Sequence, residues 1–485
     1  MAISLYTVRV TLEALGVEDY GIYNVVGGVV SFFAFLKGSL ATSSQRFFSI
    51  HLAKNETDLL NKQFCLNMNV FLLLSIILVI LLETFGLWFL NAKLTIPENR
   101  LLAANVVYQM SIVSFVIQMI SVPYNAMIVA YERMGAFAYI SVVEGAMKLL
   151  SAYIIMVVPG DKLIIYGLLM LLFSFIITES YYLYCIKKLP GSRYSWFWDS
   201  GQVKELFAFT GWHFLGTTAV SLKGQGINIL LNMFFNPVVN AARAVAFQIE
   251  HALIQLSGNF FTAVKTQMYK VYANQEMDEL YKLIFRSTVI CSFLMSILSI
   301  PMILSSEYVL NLWLKEVPDY AVIFTQLVLV NGIIDSTNGA TIAPALATGK
   351  IKKYQIIVST IMFLNIPVSY IFLKMNYEPT ITMYISIILS VVAMIVRAWL
   401  LVGLISLPLK KYFWIVLKLA ITTFISCYIL SFIYIDPISS IYELIGCSIL
   451  SSICLILGYW YVVFDINERR TIITIVSKQL NKIKK

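Results

Sequence analysis

Apolar positions in this chain run on for about 20 residues at a time, the length an α-helix needs to cross a hydrocarbon core of about 30 Å. Short polar clusters separate the runs. The pattern predicts about fourteen membrane spans, over roughly 1–15, 21–44, 66–90, 102–130, 137–158, 163–186, 207–235, 240–264, 285–305, 321–347, 354–374, 380–404, 413–435 and 441–464. The first is short, because residues 1–15 reach only about 22 Å at 1.5 Å per residue.

The pattern also repeats. AKNETDLLNK (53–62) returns 220 residues later as ANQEMDELYK (273–282), each a polar connection between long apolar segments. The same offset aligns Val25 with Val245, Leu36 with Leu256, Gly38 with Gly258 and Thr42 with Thr262. Leu87-Trp88 followed by Pro97 is echoed by Leu312-Trp313 followed by Pro318. A fixed offset of this kind marks two homologous halves. Each half holds six spans, an even number, so the halves share one orientation and are related by an axis along the membrane normal, with a pathway expected between them.

The expected architecture is an all-α polytopic membrane protein with two parallel-repeat six-helix lobes and two extra C-terminal helices. Its segments are a first lobe (1–188), a cytoplasmic inter-lobe linker (189–206), a second lobe (207–408), and two additional helices with a basic cytoplasmic tail (409–485). At the repeat offset, residues 207–220 have no counterpart ahead of Met1. The first helix is therefore expected to be truncated, with Met1 an internal methionine of a longer reading frame, the alternative being a natural half-length helix filled in by lipid or by a partner helix.

Basic residues set the orientation. One set of connections holds Arg46, Lys54, Lys62, Arg133, Lys187, Lys188, Arg193, Lys204, Lys265, Lys270, Lys282, Lys350, Lys352, Lys353, Lys410, Lys411 and the tail from Arg469, whereas the other holds Lys93, Arg100, Lys162, Lys315 and Lys374. Lysine and arginine accumulate on the cytoplasmic side. Both termini and the repeated connection are expected there.

Composition agrees: 59% of residues are hydrophobic and 13% charged, against about 25% charged in soluble domains. The net charge of +9 follows from the membrane asymmetry and calls for no nucleic acid. The six cysteines lie in or beside apolar runs without a CxxC pair, and no HExxH, GxSxG or Walker A motif is present. His51, His213 and His251 are not at ligand spacing. No metal, cofactor or enzymatic activity is expected. The N-terminus carries Arg9 before Glu13 and lacks the basic region of a signal peptide.

An ionisable side chain deep in a bilayer costs a few kcal/mol, so each is a candidate for a cavity or a pair. Lys37 shares a helical face with Phe33, Ala41 and Ser44, while Arg243, Glu250 and Ser257 recur every seven residues. The repeat aligns Lys37 with Ser257. Both faces are expected to line the space between the halves, the alternative being an Arg243–Glu250 clamp between helices. The seventh span carries a polar stripe of His213, Thr217, Ser221, Gln225, Asn228 and Asn232, and the fourth one of Ser111, Ser114, Gln118, Ser121 and Asn125. Such stripes line a wet lumen or join helices. Lys223 falls on the face opposite its own stripe, toward lipid or a neighbouring helix unless Gly224 and Gly226 break the helix. Glu144 and Lys148, four apart, form an expected ion pair. Asp335, near Asn331 and Asn338, would bind a proton or sodium ion or cap a kink. The expected substrate contacts are Arg9, Lys37, Gln118, Asn125, Gln225, Asn228, Asn232 and Arg243, with Glu250 and Asp335 as the ion-coupling candidates.

Four stretches carry a family resemblance: LGVEDYGIYNVVGGVV (15–30), SVPYNAMIVAYERM (121–134), GINILLNMFFNPVVNAARA (226–244) and ALATGKIKKYQI (345–356). They resemble the bacterial polysaccharide flippases of the O-antigen translocase type, within the multidrug/oligosaccharidyl-lipid/polysaccharide exporter superfamily. The likeness runs from Met1 to about Leu407. It implies two six-helix lobes that rock to move an undecaprenyl-pyrophosphate-linked oligosaccharide across the inner membrane for lipopolysaccharide assembly. Membrane lipids and the polysaccharide polymerase machinery are the partners it implies. Arg9, Lys37 and Arg243 against Glu250 and Asp335 give a mildly cationic path, which suits a pyrophosphate. A multidrug exporter of the same superfamily is the alternative. A membrane glycosyl polymerase or ligase is a third reading, disfavoured by short periplasmic connections.

Overall fold

The two copies of the repeated connection share one backbone conformation in a computed structural model of the chain. Asn55 and Gln275 take left-handed φ angles of 56° and 64°, and the next residues, Glu56 and Glu276, have φ/ψ of −90°/69° and −83°/69°. The Glu56 amide donates to the His51 carbonyl at 3.0 Å and the Glu276 amide to Val271 at 3.1 Å. Leu60 and Leu280, one turn on, are both fully buried. The recurrence read in the sequence is thus a recurrence of structure.

The structure describes residues 2–31, 34–93, 96–235, 237–314, 317–434, 438–464 and 469. Among them the regular elements are all helical. Two compact units divide the chain, 1–217 and 218–485. The first holds α1 (Ala2–Ser31), α2 (Ala34–Ala53), α3 (Thr57–Leu81), α4 (Leu87–Lys93), α5 (Leu101–Ala130), α6 (Met134–Val157), α7 (Lys162–Lys188) and the opening half of α8 (Ser200–Phe234). The second holds the rest of α8, then α9 (Pro237–Ala273), α10 (Met277–Leu304), α11 (Ser306–Trp313), α12 (Ala321–Thr348), α13 (Lys352–Phe363), α14 (Asn365–Lys374), α15 (Ile381–Ile405), α16 (Leu409–Ile433) and α17 (Ile441–Gly458).

In the first unit, α1 consists of two helical stretches that meet at Gly16, whose φ of 81° and ψ of 166° are non-helical and open to glycine at little cost. The first stretch therefore ends at Leu15. Lys162 Nζ, at the start of α7, donates to the Ala14 carbonyl at 3.1 Å. Arg100, at the start of α5, binds Asp19 at 2.8 and 2.5 Å and Asp161 at 2.6 and 3.1 Å. The break at Gly16 thus lies at the same membrane face as the N-termini of α5 and α7. Asp161 also caps α7, accepting from the Leu163 and Ile164 amides at 3.0 and 3.3 Å. Burial pushes its carboxyl up, but Arg100 and those amides outweigh it and hold the group below the usual carboxylate range.

Between α3 and α4 the helix widens into a π-type turn over Leu82–Gly86. Within that turn Leu82 O accepts the Leu87 amide, and it also accepts from Tyr108 Oη at 2.8 Å. Position 86 must be glycine for this to happen, since a Cβ there would lie 2.1 Å from the same hydroxyl. The core behind it joins α1, α2, α3 and α5 through Val26, Leu40, Leu78, Val107 and Tyr108.

In the second unit α12 packs against α9, α10 and α15, with Ala242, Met295, Phe324, Val328 and Leu329 fully buried among them. The C-terminal pair, α16 and α17, rests on α10 and on each other. Outward residues of the pair, including Phe424, Tyr428, Phe432, Ile449 and Ile456, are exposed, as a lipid-facing surface requires.

Among the described residues ten helical segments are long and apolar enough to cross a membrane, in keeping with a multi-pass membrane protein. The seventh and eighth predicted spans are not among these segments, and they carry Lys223, Arg243 and Glu250. Three sequence expectations are corrected here. Arg46, assigned to a cytoplasmic connection, lies inside α2, 6% exposed, with its guanidinium 4.9 and 4.8 Å from the Phe47 and Phe209 rings. Lys265 and Lys270 likewise belong to α9. Residues 200–206, read as linker, open α8. In each case the helix continues past the apolar run, since backbone hydrogen bonding does not stop where hydrophobicity does.

Candidate functional site

Three of the predicted substrate residues converge in the first unit. The lysine of α2, Lys37, donates to Gln118 Oε1 of α5 at 3.2 Å. One face of α5 adds Ser121 and Asn125, and a cavity of about 430 Å³ forms between these residues and α6 and α7. From α6 come Glu144 and Lys148, joined at 2.7 Å. From α7 comes Tyr181, which lies beside Asn125 and Ser141. Glu144 and Lys148 pair as their four-residue spacing predicts, and both remain 42–48% exposed toward the cavity. Lys37 feels both of them electrostatically but bonds only an amide. The cavity thus combines two ammonium groups, one carboxylate, two amides and several hydroxyls.

A second polar group forms in the second unit. Arg243 of α9 is 7% exposed. Its Nη1 donates to Asn228 Oδ1 of α8, and its guanidinium stands 4.4 Å from the Phe247 ring. Its buried Nε meets no acceptor. Asn228 Nδ2 passes the chain on to Gln225 Oε1 at 3.4 Å, and the Asn228 carbonyl accepts from Asn240 at 3.1 Å. The expected alternative of an Arg243–Glu250 clamp is not what forms. Seven residues carry Glu250 about 10 Å along the helix axis, where it meets α12 instead.

Glu250, 6% exposed, lies against Gly332: a Cβ on that glycine would stand 3.2 Å from Glu250 Oε1 and 2.7 Å from Met295 Cε. One turn further along α12, Asp335 accepts from Asn331 Nδ2 at 2.9 Å, Asn338 Nδ2 at 2.8 Å and Ser390 Oγ of α15 at 3.4 Å. The helix is continuous through Asp335, so the residue caps no kink. Glu250 interacts electrostatically with Asp335, Lys223 and Arg243. Lys223 is half-buried, and α8 runs unbroken through Gly224 and Gly226. Lys223 interacts electrostatically with Asp335 and Glu250.

The remaining predicted residues do not join these groups. Asn232 is exposed at the end of α8, and the side chain of Arg9 lies outside the described residues. Sequence reasoning missed Arg397 of α15, 7% exposed with a buried Nε that meets no acceptor. It interacts with Lys223 and with the buried Tyr354 and Tyr412. The signal was present, because Arg397 stands inside the predicted span 380–404 and the cost argument that selected Arg243 applies to it equally. Among the described residues no cluster of three or more His, Cys, Asp or Glu could hold a metal ion.

No protein-family model matches this sequence, and no curated protein matches it. Solved structures do. An outward-facing multidrug resistance MATE family transporter of the MOP superfamily superposes with a TM-score of 0.72 at 14% identity, over 84% of this chain and 93% of its own. A MOP superfamily transporter from Pyrococcus furiosus, described as having a binding pocket of reverse polarity, gives 0.69 at 14% identity over 84% and 93%. A eukaryotic MATE transporter gives 0.67 at 14% identity over 83% and 92%. At this identity the likeness speaks for architecture, and the chain has the two-lobed MATE-like fold found in transporters of the MOP superfamily.

Proposed function

We propose that this chain is a flippase that carries an undecaprenyl-pyrophosphate-linked oligosaccharide from the cytoplasmic to the periplasmic leaflet of a bacterial inner membrane, by alternating access. The observation that carries this reading is the surplus of cations among the polar side chains held within the helices: Lys37, Lys148, Lys223, Arg243 and Arg397 against Glu144, Glu250 and Asp335. A pyrophosphate is recognised by charge-assisted hydrogen bonds from lysine and arginine. Lys37 spends one donor on an amide and Arg243 keeps an Nε without an acceptor, so both retain capacity for an anion. Gln118, Asn125 and Tyr181 offer the mixed donors and acceptors that sugar hydroxyls take.

A second reading, a multidrug exporter, is favoured by the proteins of similar fold and by the carboxylates Glu250 and Asp335, which suit an organic cation. The two readings separate in vesicles that hold the purified protein together with a fluorescent lipid-linked sugar or a fluorescent organic cation. A flippase moves the sugar lipid between leaflets and leaves the cation where it is. An exporter does the reverse. A polymerase or ligase would instead change the mass of the lipid-linked sugar.

A further inference from the structure

The segment between α7 and α8, residues 189–199, is not helical, yet it runs alongside a membrane helix. Irregular backbone at that level needs partners from the protein, and α3 supplies them turn by turn. Asn61 Nδ2 donates to the carbonyls of Gly191 at 3.1 Å and Arg193 at 2.7 Å. The Ser195 amide donates to Cys65 Sγ at 3.2 Å. Asn69 Nδ2 donates to the Phe197 carbonyl at 2.8 Å, and its Oδ1 accepts from Tyr194 Oη at 2.7 Å. Side chains of an extended segment alternate between its two faces. Phe197 packs into the core behind α3, whereas Tyr194, Trp196 and Trp198 are 45%, 77% and 43% exposed.

Beside this aromatic ribbon is an open cavity of about 880 Å³. Lys62, Lys187, Lys188 and Arg193 contribute four cations to its lining, and Asp58 is the one carboxylate. Among the described residues of this unit none of the five is in an ion pair. Lys62 stands over the Phe197 ring at 5.8 Å, which ties the basic cavity to the ribbon.

We propose that this face is a binding site for an anionic glycerophospholipid, with the phosphate headgroup in the basic cavity and the acyl chains along Tyr194, Trp196 and Trp198. Tyrosine and tryptophan favour the level of lipid headgroups, and each basic residue near an anionic membrane surface adds to the attraction. A free phosphate would use the cations and leave the aromatic ribbon without a role. The site is separate from the residues assigned to cargo, so it stands whichever substrate the protein carries.

The test is lipid retention by the full chain in detergent, followed by native mass spectrometry with phosphatidylglycerol or phosphatidylcholine. Phosphatidylglycerol is expected to bind at least about tenfold more tightly. The K187Q/K188Q/R193Q variant should bring it to the level of phosphatidylcholine, and W196A/W198A should weaken both lipids, with helical content unchanged by circular dichroism. Equal binding of the two lipids by the wild type, or full retention of phosphatidylglycerol by the charge variant, overturns the proposal. So does inorganic phosphate that displaces phosphatidylglycerol and binds W196A/W198A as well as the wild type, which would mark a free-anion site.

Discussion

Lys37 Nζ donates to Gln118 Oε1 at 3.2 Å, from α2 to α5, so one of the two cations of the first unit's cavity is met by an amide and not by a carboxylate. An ammonium held in this way keeps its charge available to a ligand. Lys37→Gln preserves hydrogen bonding and removes the charge. Transport of the lipid-linked sugar is expected to fall about tenfold or more, the worth of one charge-assisted hydrogen bond, with K37R retaining most of it. A wild-type rate in K37Q would leave Lys37 a packing residue.

Gly86 and Tyr108 offer a test of the fold. Ala at position 86 would drive a methyl to 2.1 Å from a fully buried hydroxyl, and overpacking of this kind costs about 1–3 kcal/mol. Y108F frees the space and removes one of two donors to Leu82 O, the Leu87 amide remaining, at about 1 kcal/mol. Thermal unfolding in detergent should show G86A/Y108F losing less than the two single variants together. Simple additivity would mean the hydroxyl does not set the glycine requirement.

Arg100 ties Asp19 of α1 to Asp161 at the start of α7. Because the folded Asp161 carboxyl titrates below its ordinary value, its contribution is present above the usual carboxylate range and is lost as pH falls through the lowered value. Thermal stability should therefore decline below about pH 4 in the wild type. R100Q is expected to cost about 1–2 kcal/mol at neutral pH, since the groups are partly exposed, and to flatten that acid limb. An acid limb of the same depth in R100Q would place its origin elsewhere.

Much of this architecture was legible from periodicity and recurrence. The offset that pairs AKNETDLLNK with ANQEMDELYK also pairs the left-handed Asn55 with Gln275, because the polar residues that end one helix and start the next are written locally. Helix length was less legible: Arg46 and Lys265 sit inside helices that outrun their apolar stretches. Partner choice was not legible at all. Spacing puts Arg243 and Glu250 on one face of α9, but the approach of α8 gives Arg243 to Asn228, and the bare Cα of Gly332 admits Glu250 to α12. Those outcomes depend on which helices pack together, which a single sequence does not spell out.

Ion coupling, if it resides in the second unit, should run through Glu250 and Asp335, the carboxylates that interact electrostatically with Lys223. E250Q and D335N are each expected to abolish the part of transport that responds to a proton or sodium gradient, while leaving gradient-independent exchange. N331A removes one of the donors to Asp335 and should weaken the same component. Unchanged gradient dependence in the E250Q/D335N double variant would exclude both residues from coupling.

The most direct measurement is leaflet transfer of a fluorescent undecaprenyl-pyrophosphate oligosaccharide in vesicles containing the purified protein, read with a membrane-impermeant quencher. Wild-type protein is expected to move label from one leaflet to the other, and R243Q, folded and inserted to the same extent, to fall to the rate of empty vesicles. Wild-type protein that leaves the label in its original leaflet while moving a fluorescent organic cation would contradict the flippase reading.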